Sequence, residues 1–172
     1  MPIPSYVARV LTELEAKGFQ AFCVGGCVRD CLLGRAPEDW DVTTSALPEQ
    51  TMALFGQQAV PTGLRHGTVT VVSDGKGVEV TTFRVDGTYG DNRHPDSVTF
   101  TRSLPEDLAR RDFTVNAMAM DLRGRIQDPW GGQADLERRC LRCVGEPERR
   151  FREDALRILR AVRFAAQLDF VI

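Results

Sequence analysis

Two aspartates, Asp39 and Asp41, are separated by one residue near the start of the chain. Residues i and i+2 of a β-strand project to the same face of a sheet, so the two carboxylates are predicted to point together. Like charges this close repel unless a cation lies between them, and all-oxygen ligands favour Mg²⁺. The spacing indicates a divalent-cation site; the alternative is an exposed strand edge with two solvated acids.

A glycine turn precedes the aspartates. Gly25 and Gly26 stand between the apolar run "QAFCV", predicted as a buried strand, and a helix predicted over 28–33. Glycines at such a junction let backbone N–H groups approach an anion at the helix N-terminus. Arg29 lies in the first turn, where the helix dipole disfavours a cation, so a bound triphosphate would explain it. Asp30 is interpreted as a structural capping or pairing residue. Together these features predict a magnesium–nucleotide site for phosphoryl or nucleotidyl transfer.

The segment "RRDFTVNA" is the second candidate cluster. Asp112 and Asn116 are four residues apart, so one face of a helix would present both. The guanidinium of Arg111 suits a phosphate. The alternative is an N-capped helix with Phe113 in the core, which leaves the Arg-Arg pair unexplained.

The segment "EDALRILRAVR" is the third. Asp154 and Arg157 are three residues apart on a helix predicted from Asp154 to Leu168. A carboxylate accepts and a guanidinium donates, so the pair can imitate the Watson–Crick edge of a base. The alternative is an ordinary helix salt bridge, which contributes little stability. Arg160 and Arg163 extend the same ridge and are candidates to face phosphates.

The elements that must position these residues alternate irregularly between strand and helix, which predicts a mixed α/β (α+β) fold with a small mixed sheet flanked by helices. Further elements are expected as follows: a helix capped by Ser5 and ending near Lys17, a strand at "WDVTT", a helix over 48–55, a hairpin over 66–84, a polar loop over 85–97 and a helix from Pro105.

Composition limits the class of protein. The 172 residues are 42% hydrophobic and 27% charged, which suits one globular domain or one domain plus the start of a second. The net charge of -2 argues against wrapping nucleic acid by charge alone, although clustered arginines allow a local positive face. No stretch has the length of a membrane span and the N-terminus lacks a signal-peptide core, so a cytoplasmic location without a membrane partner is expected. Nothing in the sequence specifies an oligomeric state.

Five motifs in order resemble class II tRNA nucleotidyltransferases: "GGCVRD", "DWDVTTSA", "RRDFTVNA", "DPWGGQADL" and "EDALRILRAVRFAAQLDF". That family includes CCA-adding enzymes and bacterial poly(A) polymerases, within the polymerase-β-like superfamily. The resemblance implies a nucleotidyltransferase head (catalytic) domain at 1–145 and the start of a helical neck domain at 146–172. Because family members are about twice this length or more, the chain is interpreted as a truncated piece.

The resemblance also implies catalytic roles. Asp39 and Asp41 would hold two Mg²⁺ ions between the attacking 3′-hydroxyl and the α-phosphate of an incoming nucleotide. Glu79, on the next predicted strand, is the candidate third carboxylate, with a structural acid as the alternative. Gly25, Gly26 and Arg29 would contact the triphosphate.

Binding roles follow in the same way. Asp112 and Asn116 would recognise ribose hydroxyls and Arg111 a phosphate. Asp154 and Arg157 would select C and A, while Arg160 and Arg163 would face phosphates or the tRNA end.

Within this family, three features favour CCA addition from CTP and ATP to the tRNA 3′ end. The segment "PTGLRHGTVTVV" has one arginine where poly(A) polymerases carry several basic residues. The loop over 84–95 is full length. The stretch over 102–107 is acidic and polar. CC-only addition, A-only addition, poly(A) synthesis and a head that binds nucleotide without turnover are the alternatives.

Overall fold

The computed structural model describes residues 2–88, 90 and 97–172. Its strands are β1 (Ala21–Val24), β2 (Asp41–Thr44), β3 (Ala59–Gly63), β4 (Thr68–Ser73), β5 (Lys76–Thr82), β6 (Arg84–Asp86), β7 (Val98–Phe100), β8 (Ala119–Met120) and β9 (Ile126–Gln127). Its helices are α1 (Ser5–Ala16), α2 (Gly26–Leu32), α3 (Pro48–Phe55), α4 (Leu104–Ala109), α5 (Gly132–Glu137), α6 (Pro147–Glu153) and α7 (Leu156–Leu168).

Seven strands form one mixed sheet in the order β3-β4-β5-β2-β1-β8-β9, while β6 and β7 form a separate antiparallel pair. Strand β2 lies antiparallel to β1, with Val24 opposite Asp41, and parallel to β5, with Asp41 opposite Glu79. The register therefore brings the end of β1, the start of β2 and the middle of β5 to one place on the sheet. This mixed sheet with flanking helices confirms the predicted fold class.

The hydrophobic core holds these elements together. Helix α1 buries Val7, Val10, Leu11 and Leu14 at the i, i+3, i+4 and i+7 positions of one face. Trp40, between the two aspartates, is 5% exposed and belongs to this core, so its side chain leaves the carboxylates on the opposite side.

Helix α7 belongs to the same core. Its buried residues Ala161, Phe164 and Leu168 join the cluster that contains the sheet residues. The bridge between Cys140 and Val171 also ties the segment after α7 to the chain before α6. The division at 145/146 stays a prediction.

Several local expectations are wrong. Ser5 lies inside the first turn of α1, and its cap position is taken by Pro4 without a side-chain hydrogen bond. Strand β3 and the β6–β7 pair were not expected, and the polar loop predicted over 85–97 falls partly on 89 and 91–96, outside the described residues. A separate helix, α6, precedes α7, which begins two residues after Asp154.

Candidate active site

A cleft of about 630 Å³ opens where β1, β2, α2 and α7 meet. It is lined by the glycine turn, by five carboxylates, by five arginines and by one aromatic ring. The sequence-predicted site residues in its wall are Gly25, Gly26, Arg29, Asp39, Asp41, Arg111, Asp112, Asn116, Arg160 and Arg163. The structure therefore gathers all the predicted site residues except Glu79, Asp154 and Arg157.

The glycine turn has a backbone that other residues rarely adopt. Gly25 has φ +81°, and its N–H donates to the carbonyl of Met118 at 3.3 Å. A Cβ at Gly25 would lie 3.4 Å from Nη1 of Arg111, and one at Gly26 would lie 3.6 Å from Nη2 of Arg29. Both guanidinium groups thus lie within van der Waals range of the turn, and an added Cβ would touch them without overlap.

The paired carboxylates face the cleft. Asp39 and Asp41 are both exposed, and neither has an ion-pair partner within 2–88, 90 and 97–172. Although Asp41 is exposed to the cleft, the protein atoms packed around its carboxylate partly desolvate it. This desolvation and the charge of Glu79 raise the pKa of Asp41, Arg111 opposes this effect, and Asp39 adds to it. The ionised form of Asp41 is therefore destabilised, and a divalent cation would relieve it.

Glu79 lies beside Asp41 in the parallel register but does not line the cleft. In the part of the chain that the structure describes, no group of three or more His, Cys, Asp or Glu side chains is arranged to hold a metal ion. The donor set is thus two carboxylates, which fits Mg²⁺, because Mg²⁺ usually takes one or two carboxylates with water and substrate phosphates.

Arg29 is fixed from three sides. Its Nε donates to Asp30 at 2.9 Å and its Nη1 donates to Asn116 at 2.8 Å. Its guanidinium carbon lies 5.4 Å from the ring centroid of Phe164. Asp30 therefore acts as the pairing residue that the sequence predicts, and Arg29 is 6% exposed at the cleft wall.

The segment of Arg111, Asp112 and Asn116 is not the expected helix. Helix α4 ends at Ala109, and only a short 3₁₀ turn over Thr114–Asn116 follows. The N–H of Val144 donates to the carbonyl of Asp112 at 3.0 Å, so a distant segment pairs with this backbone and holds it extended. The i, i+4 argument was therefore wrong, although both side chains line the cleft.

Helix α7 places a ring and two arginines in the wall. Arg160 donates to Oδ2 of Asp112 at 2.7 Å, and Arg163 has no ion pair with any described residue. The guanidinium carbons of Arg160 and Arg163 lie 5.1 Å and 4.9 Å from the ring centroid of Phe164. Both contacts are within the range of cation–π attraction.

Asp154 and Arg157 lie outside the cleft. Oδ1 of Asp154 accepts from the N–H of Leu156 at 2.9 Å, and its Oδ2 is 4.0 Å from Nε of Arg157. Arg157 is 6% exposed and donates to Glu153 at 2.9 Å and to the carbonyl of Arg110 at 3.3 Å. The structure does not bring this pair to the other predicted site residues.

Sequence reasoning missed several residues, among them Phe164, Arg35 and Glu38 in the cleft wall and Asp107, which pairs with Arg111. Arg160 lies four residues before Phe164, a spacing from which their contact is predictable, whereas the contact of the adjacent Arg163 is not predictable from helix spacing. Asp107 lies three and four residues before Arg110 and Arg111, and it pairs with both. Burial alone would raise the pKa of Asp107, but these two arginines hold it below its usual value.

The family model described as the poly A polymerase head domain matches residues 21–142. The chain is 57% identical over 163 residues to the CCA-adding enzyme of Geobacillus kaustophilus (strain HTA426), covering 95% of this chain and 40% of that relative. It is 56% identical over 161 residues to the CCA-adding enzyme of Lactobacillus helveticus (strain DPC 4571), again covering 40% of the relative.

Two solved structures of tRNA-processing nucleotidyltransferases also match this chain. The CCA-adding enzyme of Bacillus stearothermophilus in complex with CTP matches with a TM-score of 0.89 at 53% identity, covering 96% of this chain and 40% of that one. A tRNA nucleotidyltransferase complexed with a primer tRNA and an incoming ATP analog matches with a TM-score of 0.72 at 33% identity, covering 94% and 46%. The chain thus spans less than half the length of each. Among the described residues, no helix has both the length and the apolar character needed to cross a membrane.

Proposed function

We propose that this chain, which belongs to the family of poly A polymerase head domains, is the catalytic head of a tRNA nucleotidyltransferase that adds C, C and A to tRNA 3′ ends. The observation that carries the proposal is the single cleft in which a glycine turn, two carboxylates without ion-pair partners among the described residues and several arginines converge. Relatives over 50% identical across 95% of the chain are named CCA-adding enzymes, which supports CCA addition over the other activities of the family.

In the proposed reaction, the 3′-hydroxyl oxygen of the RNA forms a bond to the α-phosphorus of CTP or ATP. The bond from that phosphorus to the bridging oxygen breaks, pyrophosphate leaves with the electron pair, and the hydroxyl proton passes to solvent. Asp39 and Asp41 would hold two Mg²⁺ ions, whose chemistry is to stabilise charge on the reacting phosphate and to lower the pKa of the attacking hydroxyl.

The residues of the chain then supply binding and orientation. Arg111 reaches the glycine turn, where backbone N–H groups and a guanidinium together suit a triphosphate. Arg29 is pre-organised by Asp30 and Asn116, so little side-chain entropy is lost when an anion binds. Arg163, which has no ion pair among the described residues, is the cation of α7 most available to a phosphate.

Ribose recognition is proposed for Asp112 and Asn116. Each offers a side-chain oxygen in the cleft wall, although Asp112 already accepts from Arg160 and Asn116 accepts from Arg29. Glu79 is proposed as a neighbouring charge that acts on Asp41, rather than as a wall residue.

Base selection by Asp154 and Arg157 is proposed from the resemblance. Since Arg157 donates to Glu153 and to backbone carbonyls in this structure, pairing with a base requires its guanidinium to leave those acceptors.

The test is extension of a tRNA that lacks its CCA end, with Mg²⁺ and each nucleotide separately and together. Addition of C, C and then A that stops there is the expected result. A stop after CC, addition of A alone to a CC end, or a long A tail would replace the proposal with the corresponding activity. CTP binding without pyrophosphate release, even with excess RNA, would leave a nucleotide-binding head alone.

A matched pair of variants controls the assay. Asp39→Ala should abolish extension because it removes a metal ligand. Asp74→Asn removes the charge of an exposed carboxylate at the β4–β5 turn, paired with Arg9 at 2.9 Å, keeps a side chain that tolerates the φ of 49° at this position, and should extend tRNA like the wild type. Substantial extension by Asp39→Ala would contradict the assignment of the carboxylates.

A further inference from the structure

Asp107 in α4 is a completely buried carboxylate with four partner residues, Thr43 in β2, Arg84 in β6, and Arg110 and Arg111 just after α4. Its Oδ1 accepts from the N–H of Arg84 at 3.2 Å and from Nε of Arg110 at 3.0 Å. Its Oδ2 accepts from Oγ1 of Thr43 at 3.1 Å and from Nη2 of Arg111 at 3.4 Å. The residue is 0% exposed, so the full charge is held inside the protein.

One arginine is enough to neutralise this carboxylate. Arg110 provides two contacts to Oδ1, from Nε and Nη2, both at 3.0 Å, and it does not line the cleft. Arg111 makes a longer contact from one nitrogen and extends into the cleft wall. The contact with Arg111 is therefore the longer of the two, and the guanidinium of Arg111 both pairs with Asp107 and reaches the cleft.

Arg111 depends on Asp107 for its orientation. Among the described residues, Asp107 is its only side-chain hydrogen-bond acceptor, and its buried Nε has no partner. Nη1, at the other side of the guanidinium, is the atom 3.4 Å from the Cβ position of Gly25. One end of the guanidinium is thus anchored while the other meets the glycine turn.

The carboxylate of Asp107 also contacts β2, the strand that begins with Asp41. Thr43, whose hydroxyl donates to Asp107, is in β2 two residues after Asp41. The strand and the guanidinium are therefore held against one carboxylate, which sets the spacing between the charge of Arg111 and that of Asp41. Arg111 already acts on Asp41 electrostatically.

We propose that Asp107 is a positioning residue for nucleotide binding: it holds the guanidinium of Arg111 at the Gly25 turn, at a fixed spacing from Asp41, where the triphosphate binds. It touches no substrate and acts through Arg111. This inference rests on the proposed function, since it needs a triphosphate in the cleft.

The test compares Asp107→Asn with Asp135→Asn in equilibrium binding of CTP with Mg²⁺ and in steady-state extension. Asp135 is a matched control: it is 3% exposed, accepts from Thr114 at 2.6 Å and from Arg142 at 2.9 Å, and does not line the cleft. Loss of a charged hydrogen bond predicts a rise of about tenfold to hundredfold in the Kd and KM for CTP in Asp107→Asn, with kcat changed less. Asp135→Asn should lower the melting temperature and leave the Kd for CTP unchanged.

A double-mutant cycle separates positioning from general destabilisation. In an Arg111→Ala background, Asp107→Asn should not raise the Kd for CTP further, because the guanidinium that it orients is gone. The same increase in both backgrounds would overturn the proposal, as would an unchanged Kd in Asp107→Asn or an equal rise in Asp135→Asn.

Thr43→Val covers the case in which Asp107→Asn does not fold. It removes one donor to Oδ2 and keeps the charge, and a rise of about twofold to tenfold in the Kd for CTP is expected. An unchanged Kd would overturn the proposal. Absence of CTP binding by the wild-type chain would overturn the proposed function itself, a result distinct from wild-type binding that the variants retain.

Discussion

Phe164 contacts three of the arginines that line the cleft. Its ring is 6% exposed and meets the ring of Phe113 edge-on, with centroids 5.9 Å apart and an interplanar angle of 86°. Three guanidinium carbons, those of Arg163, Arg160 and Arg29, lie 4.9, 5.1 and 5.4 Å from its centroid. Phe164→Leu keeps an apolar side chain in the core and removes the π-system.

The expected loss follows from these contacts. An aromatic pair contributes about 0.5–1.5 kcal/mol beyond burial. Each cation–π contact contributes about 0.5–1 kcal/mol, and a ring has only two faces, so two full contacts are counted for the three arginines. With the strain of the swap included, Phe164→Leu should lower the free energy of unfolding by about 2–4 kcal/mol.

Phe83→Leu is the matched control. Phe83 is 0% exposed and stacks on Phe22 with centroids 6.4 Å apart, but no cation contact to its ring is found among the described residues. Its loss should be about 1–2 kcal/mol, so the difference of about 1–2 kcal/mol reports the arginine contacts. For a chain of this size, that difference corresponds to about 2–8 °C in melting temperature.

The assay is chemical and thermal unfolding of both variants, with CTP binding measured on the folded fractions. Phe164→Leu should weaken CTP binding because Arg29, Arg160 and Arg163 lose their common surface, whereas Phe83→Leu should not. Equal destabilisation by the two substitutions, together with unchanged CTP binding in Phe164→Leu, would refute the reasoning.

Two further predictions follow from the site. Burial and the charges of Glu79 and Asp39 raise the pKa of Asp41, so the folded chain binds its proton more tightly than the unfolded chain does. The contribution of Asp41 to the free energy of unfolding therefore increases as the pH falls from neutral through the raised pKa towards the unfolded value. Asp41→Asn should therefore stabilise the metal-free chain at pH 7 and remove the part of the pH dependence of stability that Asp41 causes. The measurement is thermal unfolding against pH in the presence of a chelator. A variant less stable than the wild type at pH 7 would contradict the view that burial and neighbouring charges raise the pKa of Asp41. Alanine at both Asp154 and Arg157 should relax the preference for CTP and ATP over UTP and GTP while Mg²⁺ binding persists, whereas alanine at both Glu148 and Arg152, an exposed ion pair on α6, should leave the preference intact. Full selectivity in the first double variant would exclude base mimicry.

Local patterns predicted the parts of the fold whose signal is local. The run into Gly25, the strand of Asp41 and the β4–β5 hairpin were all expected, and Asp74 and Gly75 take the positive φ values of 49° and 74° that a tight hairpin turn needs. The extended backbone at Asp112 was missed because its hydrogen bond comes from Val144, far along the chain. No periodicity around Asp112 contains that information.

The candidate site divides in the same way. Residue types with unusual local placement, such as an arginine three residues after a glycine pair, were recognised from sequence and do reach the cleft. The expected first-turn position of Arg29 was wrong, because α2 begins at Gly26 and Arg29 lies in its last turn. Asp107 was missed because its partners are contributed by β2, by β6 and by the end of α4. Its acidic position in the first turn of α4 has a sufficient local explanation in the helix dipole, so nothing in the sequence requires a second role.

The cleft also explains how so many charges coexist in a chain with a net charge of -2. Arg29 is neutralised by Asp30 and Arg160 by Asp112, which fixes both guanidinium groups without adding net charge to the wall. Asp39, Asp41 and Arg163 lack ion pairs with the described residues, as do Arg35 and Glu38 in the same wall. The charges of Asp39, Asp41 and Arg163 are those that a metal–triphosphate complex would complement. Some charges in this wall therefore pair with each other and fix the positions of the side chains, whereas others remain available to a ligand. A low net charge of the chain is thus compatible with binding a polyanion.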